Sequence, residues 1–252
     1  MKSNIYWDIE CYTNYFYVRF HNYRNYHTYE ARLFNDVLEV GDRKTIASFI
    51  QKHTLIGFNT DNYDTPMLAA FLGGADNKAL KYLSDKIVNS NDPWWLLSRK
   101  FPKIKLPNAD TIDLMGVTPL RASLKTYACR IHTSTLEDLP LPPDTHIQRE
   151  HLSVLEGYCA NDLNMTQDIH RDMYEDITLR QDMTKQYGID FRSKSGPQIA
   201  EGVLRSQLNA AGVVVEKRSG KVKPFQYKMP CFIEFETEEL QAVQRTVADA
   251  VF

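Results

Sequence analysis

Strand patterns come first along this chain of 252 residues, and that order limits the folds open to it. NIYWDIE has the apolar and aromatic content of a strand, and NYFYVRF and YHTYEARLF lie on either side of the polar turn HNYRN. These segments predict three antiparallel strands. Helical patterns then alternate with the short strands TLIGFN and NADTIDLM. We therefore expect an α/β fold, a mixed sheet flanked by helices.

The helical segments have recognisable ends. DRKTIASFIQKH follows Asp42 in a capping position, and YDTPMLAAFLGG ends at paired glycines. The longest helical pattern is a single stretch, 147–188, which ends at Gly188. Further helices are predicted in NKALKYLSDKIVNSN, SLKTYACRI, SGPQIAEGVLRSQLNAAG and TEELQAVQRTVADAVF.

The pattern changes after Gly188, so we expect a main domain over residues 1–187 and a C-terminal extension over 188–252. Strand signals in the extension surround a turn at Ser219 and Gly220. The final helical pattern has no stop signal before Phe252. From this we expect a helix that continues to the last residue of a chain cut from a longer protein.

Charge alone neither suggests nor excludes nucleic-acid binding, whereas several other function classes have no support in the sequence. A net charge of -2 supplies no global attraction to nucleic acid, so polyanion binding would need a local basic surface or bound cations. The four cysteines form no C-x-x-C pair and no signal peptide is present, which predicts the cytoplasm, of a bacterium or of a virus-infected host cell. Motifs for nucleoside triphosphates, dinucleotides, serine hydrolases and zinc are absent from the sequence.

Two carboxylates lie in the first strand pattern. Asp8 and Glu10 are two residues apart, so they share one face of the strand, opposite Trp7 and Ile9. Neighbouring anions repel unless a cation lies between them or water screens them. The pair therefore indicates either a hard divalent metal bound through oxygen or an edge strand with solvated acids.

Two later segments carry polar residues in comparable positions. In GFNTDNYDTPML, Asn59 follows a strand and Asp64 begins the next helix, where an acid can also serve the helix N-terminus. In YCANDLNMT, Tyr158 and Asp162 are four residues apart and so lie one above the other on a helix. Each feature by itself is weak.

Together and in order, these residues resemble the three exonuclease motifs of the DnaQ-like (DEDD) 3'-5' exonucleases, in the branch with tyrosine in the third motif. The wording GFNTDNYD and YCANDL is similar to proofreading domains of family B DNA polymerases, particularly those of viruses and phages. The resemblance covers residues 1–187. It implies an RNase H-like fold and proofreading hydrolysis at single-stranded DNA 3' ends, with RNA also open as substrate.

The resemblance implies that Asp8, Glu10, Asp64 and Asp162 hold two Mg²⁺ or Mn²⁺ ions at the scissile phosphodiester. Asp8 would bridge both ions, Glu10 and Asp162 would bind the ion that carries the attacking water, and Asp64 would act through the water shell of the second ion. Tyr158 would orient the water, since a tyrosine of ordinary pKa is neutral at pH 7.

Three more residues are implied to bind substrate. Asn59 and Tyr63 would define the pocket for the terminal nucleotide, although plain core packing is open for Tyr63. Lys125 lies where related exonucleases have a phosphate-contacting lysine, and a solvated helix lysine is its alternative. Many relatives have threonine at the position of Cys11, so any contact that this threonine makes to the terminal nucleotide is in doubt here. The hairpin tyrosines and arginines either stack bases or simply form strands.

Other functions stay open at this point. A free-standing exonuclease that trims RNA or DNA 3' ends, resembling ribonuclease D, has the same motifs. A non-catalytic nucleic-acid-binding or protein-binding module of the same fold is a different class. The four intact acids argue against it, because a module without catalysis would have no reason to keep an anionic cluster that costs stability. The implied partner of a proofreading enzyme is a DNA polymerase region or subunit, which residues 188–252 would begin or contact.

Overall fold

The first strand, β1 (Asn4–Tyr12), lies inside a six-stranded mixed sheet in the part of the chain that the structure describes. This is a computed structural model that describes residues 2–90, 92, 94–101, 104–105, 107–213, 224–230 and 232–250. The other strands are β2 (Tyr15–Asn22), β3 (His27–Phe34), β4 (Val37–Val40), β5 (Thr54–Gly57) and β6 (Asp110–Asp113). Their spatial order is β4-β3-β2-β1-β5-β6.

Strand direction divides the sheet into two halves. β1 to β4 are antiparallel neighbours, whereas β1, β5 and β6 are parallel. The α/β class and the mixed sheet predicted from the sequence are confirmed. The fourth strand, β4, was not predicted because it has only four residues and none of them is buried.

Helices alternate with the later strands as expected, and a short helix at Trp94–Leu97 was not predicted. They are α1 (Arg43–Lys52), α2 (Asp64–Leu72), α3 (Asn77–Ser90), α4 (Trp94–Leu97), α5 (Leu124–Arg130), α6 (Leu152–Asp172), α7 (Tyr174–Tyr187), α8 (Gly196–Ala210) and α9 (Glu238–Asp249). Asp42 caps α1 by accepting a hydrogen bond from the backbone N–H of Thr45, as its position predicted.

Two helix predictions were wrong. The single helix expected over 147–188 is divided, because the backbone of Met173 (φ -93°, ψ 18°) leaves the helical region between α6 and α7 while its side chain is buried. The helix expected to reach the last residue ends at Asp249, since Ala250 is extended.

The chain forms two compact units, Met1–Ser206 and Gln207–Phe252. In the first unit, Phe191 is buried and the hydroxyl of Ser193 accepts a hydrogen bond from the backbone N–H of Asp113. In the second unit, Gln226 donates to the carbonyl of Ala248. The domain boundary between residues 187 and 188 stays a prediction, and the turn expected at 219–220 lies outside the described residues.

Side chains of β1 alternate between the two faces of the sheet. Ile5, Trp7 and Ile9 pack into one apolar cluster with α1, α2 and α3. On the other face, Tyr6 and Tyr12 belong to two separate clusters, each completed by residues of α6. Asp8 and Glu10 come between these tyrosines on the same face, so the polar site lies in a gap between two apolar clusters.

The aromatic residues of β2 belong to the core. Four rings are almost fully buried, those of Tyr15, Phe16, Tyr17 and Phe20. These rings are therefore not available for stacking on bases, and they act as strand formers. Among the described residues, no helix has both the length and the apolar content that crossing a bilayer requires.

Candidate active site

β1 brings Asp8 and Glu10 to the carboxyl ends of the parallel strands. Its pairing with β5 extends from Asn4 to Tyr6, so both acids lie beyond that ladder while still pairing with β2 on the other side. Glu10 is 7% exposed and Asp8 is partly buried. Ligands of open α/β sheets bind at this edge, where strands that were neighbours separate.

Asp64 reaches the same place from the loop after β5. It is the first residue of α2 and only 3% exposed, because the rest of α2 packs into the core. One of its carboxylate oxygens, Oδ1, is buried without a hydrogen-bond partner. A solvated or capping acid would not leave a buried oxygen unpaired, so this oxygen is available to a cation.

α6 supplies Tyr158 and Asp162 one helical turn apart, both buried. The Oδ1 atom of Asp162 is also buried without a hydrogen-bond partner. Lys125 of α5 lies beside them, with its Nζ 5.1 Å from the centre of the Tyr158 ring and 3.7 Å from a carboxylate oxygen of exposed Asp138. Both the i, i+4 spacing and the packing of α6 on β1 direct this helix face toward the acids of β1.

A cavity of about 560 Å³ joins these elements. Of the residues singled out from the sequence, its lining includes Asp8, Glu10, Asn59, Tyr63, Asp64, Tyr158 and Asp162. Lys125 is not among the lining residues, although its ammonium group is close enough to lower the pKa of Glu10 and of Asp162. Cys11 also lines the cavity, next to Glu10.

Asn59 and Tyr63 form the part of the wall contributed by the loop before α2. Asn59 has a left-handed backbone (φ 62°), and its side-chain oxygen accepts a hydrogen bond from Asn62. Tyr63 packs against the apolar core, and its hydroxyl lies 2.9 Å from that of Ser84. Tyr63 therefore packs against the core and also forms part of the cavity wall.

Burial and mutual repulsion raise the pKa values of the acids. Burial is the largest cause for Asp8, Glu10 and Asp64, and the charges of neighbouring acids add to it. Burial raises the pKa of Asp162 to about 7, against the opposing effects of Lys125 and Tyr158. Three buried carboxyls and the partly buried Asp8 cannot all ionise without compensation, which fits a centre for divalent cations, as do the unpaired oxygens of Asp64 and Asp162.

Cys159 is a neighbour that the sequence motifs did not indicate. Its Sγ and the carboxylates of Asp8 and Glu10 offer ligand atoms within 4.8 Å of one another. Burial holds the pKa of this thiol well above its ordinary value, and it faces the carbonyl oxygen of Asp8 at 4.0 Å. Mg²⁺ and Mn²⁺ prefer oxygen donors, so the carboxylates are the candidate ligands of this group for these cations and the thiol is their neighbour.

Asp113, the last residue of β6, was also missed. Its two carboxylate oxygens accept hydrogen bonds from the backbone N–H groups of Asn59 (2.8 Å), Asp61 (3.0 Å) and Met115 (3.0 Å). The carboxylate thereby fixes the loop that carries Asn59 and leads into Asp64. In the sequence, Asp113 is recognisable only as an acid at the end of a predicted strand. That position does not indicate which loop the carboxylate holds.

Comparisons with known proteins give one informative likeness. No family model matches the sequence, and no curated protein matches it. The chain is similar in structure to the family B DNA polymerase from the hyperthermophilic archaeon Pyrobaculum calidifontis, with a TM-score of 0.52 and 11% sequence identity. The match covers 89% of this chain and 32% of that polymerase, so the chain spans about a third of the polymerase's length. The likeness shows that the fold is related to part of a family B polymerase.

Proposed function

We propose that the chain is a metal-dependent 3'-5' exonuclease that hydrolyses phosphodiester bonds at single-stranded DNA ends. The observation that carries the proposal is the meeting of Asp8, Glu10, Asp64 and Asp162 in one cavity with Tyr158. The acids come from a strand, a helix start and a helix face that are distant in sequence. A merely structural cluster would gain nothing from bringing four repelling carboxyls together, three of them buried and one partly buried.

The four acids are the residues that would hold two Mg²⁺ or Mn²⁺ ions. Bound there, the ions would supply Lewis acidity at the phosphodiester, stabilising negative charge on the attacking and the leaving oxygen. Carboxylate oxygens are the donors that these hard cations prefer. Ionisation of the acids also sets the affinity, because each bound cation must displace the protons that burial retains on them.

Tyr158 positions the attacking water. Burial and the nearby acids raise its pKa above the ordinary value, so its hydroxyl stays protonated and can donate a hydrogen bond at any pH at which the enzyme works. The hydroxyl therefore orients the nucleophile and does not remove its proton. Lys125, close to the Tyr158 ring, offers a positive charge to the phosphate, and Asn59 and Tyr63 form the wall for the terminal nucleotide.

Proofreading beside a DNA polymerase is the role we assign to this activity. It is favoured by the wording of the second and third motifs and by the family B fold likeness. A free-standing exonuclease for RNA or DNA ends would use the same acids, so the choice of nucleic acid separates the two. The binding-module alternative is disfavoured by the unpaired carboxylate oxygens, which binding to nucleic acid alone would not require.

The deciding experiment is digestion of a 5'-labelled single-stranded DNA and the RNA of the same sequence in Mg²⁺, Mn²⁺ or EDTA. Wild type is compared with Asp8→Ala, and Asp182→Ala provides an exposed acid on α7 as the matched control. We expect a metal-dependent ladder that shortens from the 3' end in wild type and in the control. Asp8→Ala should lower the rate by at least about a hundredfold.

The outcome separates the candidate functions. A ladder from DNA that is stronger than that from RNA supports proofreading, and the reverse ratio supports RNA trimming. Equal cleavage by Asp8→Ala and wild type would sink the assignment of the site. A protein that binds the DNA but leaves it intact with every metal would be a binding module.

A further inference from the structure

Lys81 of α3 is a cation in the wall of the active-site cavity that no motif indicates. Its side chain is only 11% exposed, and it lines the same cavity as Asp8, Glu10 and Asp64. Among the described residues that line this cavity, it is the one with a positive charge. Its ammonium group contacts two carboxylates, those of Asp85 one turn along α3 and of Asp144 at 2.7 Å.

Asp85 lies on the same helix as Lys81, whereas Asp144 belongs to a loop. Asp144 has a side chain that is 87% exposed, so water solvates it readily and the pair contributes little to stability. The backbone of the loop that carries Asp144 is held by two side chains. The Thr13 hydroxyl donates to the carbonyl of Thr145, and the Asn14 amide bonds with both the carbonyl and the N–H of Ile147. The Asp144 carboxylate can therefore rotate away while the loop keeps its place.

Within the described part of the chain, the charged side chains that line the cavity offer one positive group, Lys81, to an incoming anion. Two divalent ions would balance Asp8, Glu10, Asp64 and Asp162, whereas Asp85 and Asp144 together outweigh Lys81. A nucleic-acid strand adds a phosphate charge for each linkage that enters. Burial lowers the pKa of Lys81, but the hydrogen bonds that its ammonium group donates to Asp144 and Asp85 outweigh this effect and raise it, so the ammonium stays charged.

We propose that Lys81 is a phosphate-binding residue for the nucleic-acid strand in this cavity, and that Asp144 forms an ion pair with its ammonium group until the strand enters. The ligand class is the phosphodiester of a single-stranded nucleic acid. The inference rests on the proposed function for the identity of the polyanion. Entry of the strand exchanges one carboxylate partner of Lys81 for a phosphate oxygen, and Asp85 keeps the ammonium group in position.

The exchange predicts opposite effects from the two ends of one ion pair. We would measure the binding of a short 5'-fluorescein-labelled oligothymidylate to the full chain by anisotropy in Ca²⁺. Lys81→Met should weaken binding about tenfold or more, because it removes a charge-assisted contact. Asp144→Asn should tighten binding, because the competing anion is gone. Lys81→Arg should stay close to wild type.

Salt dependence gives a readout that a structural role would not move. The slope of log affinity against log salt concentration should become shallower by about 0.7 in Lys81→Met, the effect of one phosphate contact on a single strand. The matched control is Lys86→Met, since Lys86 is an exposed lysine of the same helix outside the cavity lining. Its affinity and slope should equal those of wild type.

Three results would overturn the inference. One is weaker binding by both Lys81→Met and Asp144→Asn, which would make the pair structural. The second is wild-type affinity in Lys81→Met, and the third is no binding of oligothymidylate by wild type. Where Lys81→Met does not fold, the sign of the Asp144→Asn effect decides. Absence of 3' shortening in Mg²⁺ and Mn²⁺ would sink the proposed nuclease activity, while the opposite-sign pattern in affinity would still support Lys81.

Discussion

The carboxylate of Asp113 accepts a hydrogen bond from the backbone N–H of Asn59 at 2.8 Å. Its other oxygen accepts from the N–H of Asp61, so one side chain at the end of β6 holds two amides of the loop after β5. Asn59 has a positive φ, a left-handed conformation that asparagine tolerates better than most non-glycine residues, and Asp113 holds its backbone N–H in that position. Asp64 follows this loop directly, which links a buried acid of β6 to the placing of a candidate metal ligand.

Replacing Asp113 should therefore loosen the site from a distance. Asp113→Ala leaves three backbone N–H groups without their acceptor, and we expect a loss of about 1–3 kcal/mol in the free energy of unfolding. Asp113→Asn retains one oxygen and should lose less. Chemical unfolding gives the stability, and titration with Mn²⁺ should show weaker metal binding in both variants.

The control for this prediction is Asp61→Asn. Asp61 takes part through its backbone N–H, so this change keeps the hydrogen bond while removing a carboxylate from the same loop. It should leave both stability and metal affinity near wild type. Unchanged metal affinity in Asp113→Ala would separate this residue from the site and leave it a purely structural role.

The pKa values of the acids predict a pH dependence for the metal-free protein. Burial raises the pKa of Asp8, Glu10 and Asp64, and it brings that of Asp162 to about 7. In the unfolded chain these groups titrate near 4. Between about pH 4 and pH 7 these four acids thus bind more protons in the folded state than in the unfolded chain, and their contribution to the free energy of unfolding should fall as the pH rises through that range.

Divalent metal should reduce or reverse this fall, because bound cations stabilise the ionised acids. The measurement is urea unfolding from pH 4.5 to pH 8, in EDTA and in Mn²⁺. Asp162→Asn should make the EDTA series less steep, since it removes one of the groups that gain a proton on folding. An EDTA series with the same slope in Asp162→Asn and wild type would contradict this prediction.

Tyr158→Phe tests the role of a hydroxyl that stays protonated. We expect kcat to fall about a hundredfold, because the water loses the group that orients it, while the affinity for Mn²⁺ stays the same. The pH profile of the residual activity should keep its shape, since the raised pKa places ionisation of Tyr158 outside the working range. A profile that loses a limb would instead make this tyrosine a proton-transfer group.

Local sequence patterns predicted most of the fold. Apolar and aromatic content placed β1, β2 and β3, and helical periodicity placed α1 and α3, which each bury one face in the core. The helix α2 is buried from Asp64 to Phe71, and the paired glycines that follow it marked its end. The division between α6 and α7 could not be predicted in this way. It depends on where the side chain of Met173 packs, and the helical pattern continues on both sides of it.

The candidate site was predictable where a residue's place on its element fixes its direction. Asp8 and Glu10 share a strand face, and Tyr158 and Asp162 share a helix face, so their convergence follows once the elements pack. Lys81 was not predictable. Its significance comes from a contact with Asp144, 63 residues away in the sequence, and from a loop whose course no periodicity specifies.

Cys159 allows a last prediction, about the kind of metal that the cavity takes. Its Sγ lies with Asp8 and Glu10 in a group that could hold an ion, yet burial raises the pKa of the thiol well above its ordinary value. If carboxylate oxygens alone are the ligands, Cys159→Ala should leave the affinity for Mg²⁺ and Mn²⁺ unchanged and keep the exonuclease activity. A thiolate ligand would instead make Cd²⁺ bind much more tightly than Mn²⁺.

The contrast between Cd²⁺ and Mn²⁺ decides this point, with Cys159→Ala beside wild type in isothermal titration. We expect each metal to bind the two proteins equally, since the alanine removes a neighbour that is not a ligand. The cost should appear only in stability, about 1 kcal/mol or more, because a buried side chain at the packed face of α6 is truncated. A selective loss of Cd²⁺ affinity in the variant would place sulfur in the coordination sphere.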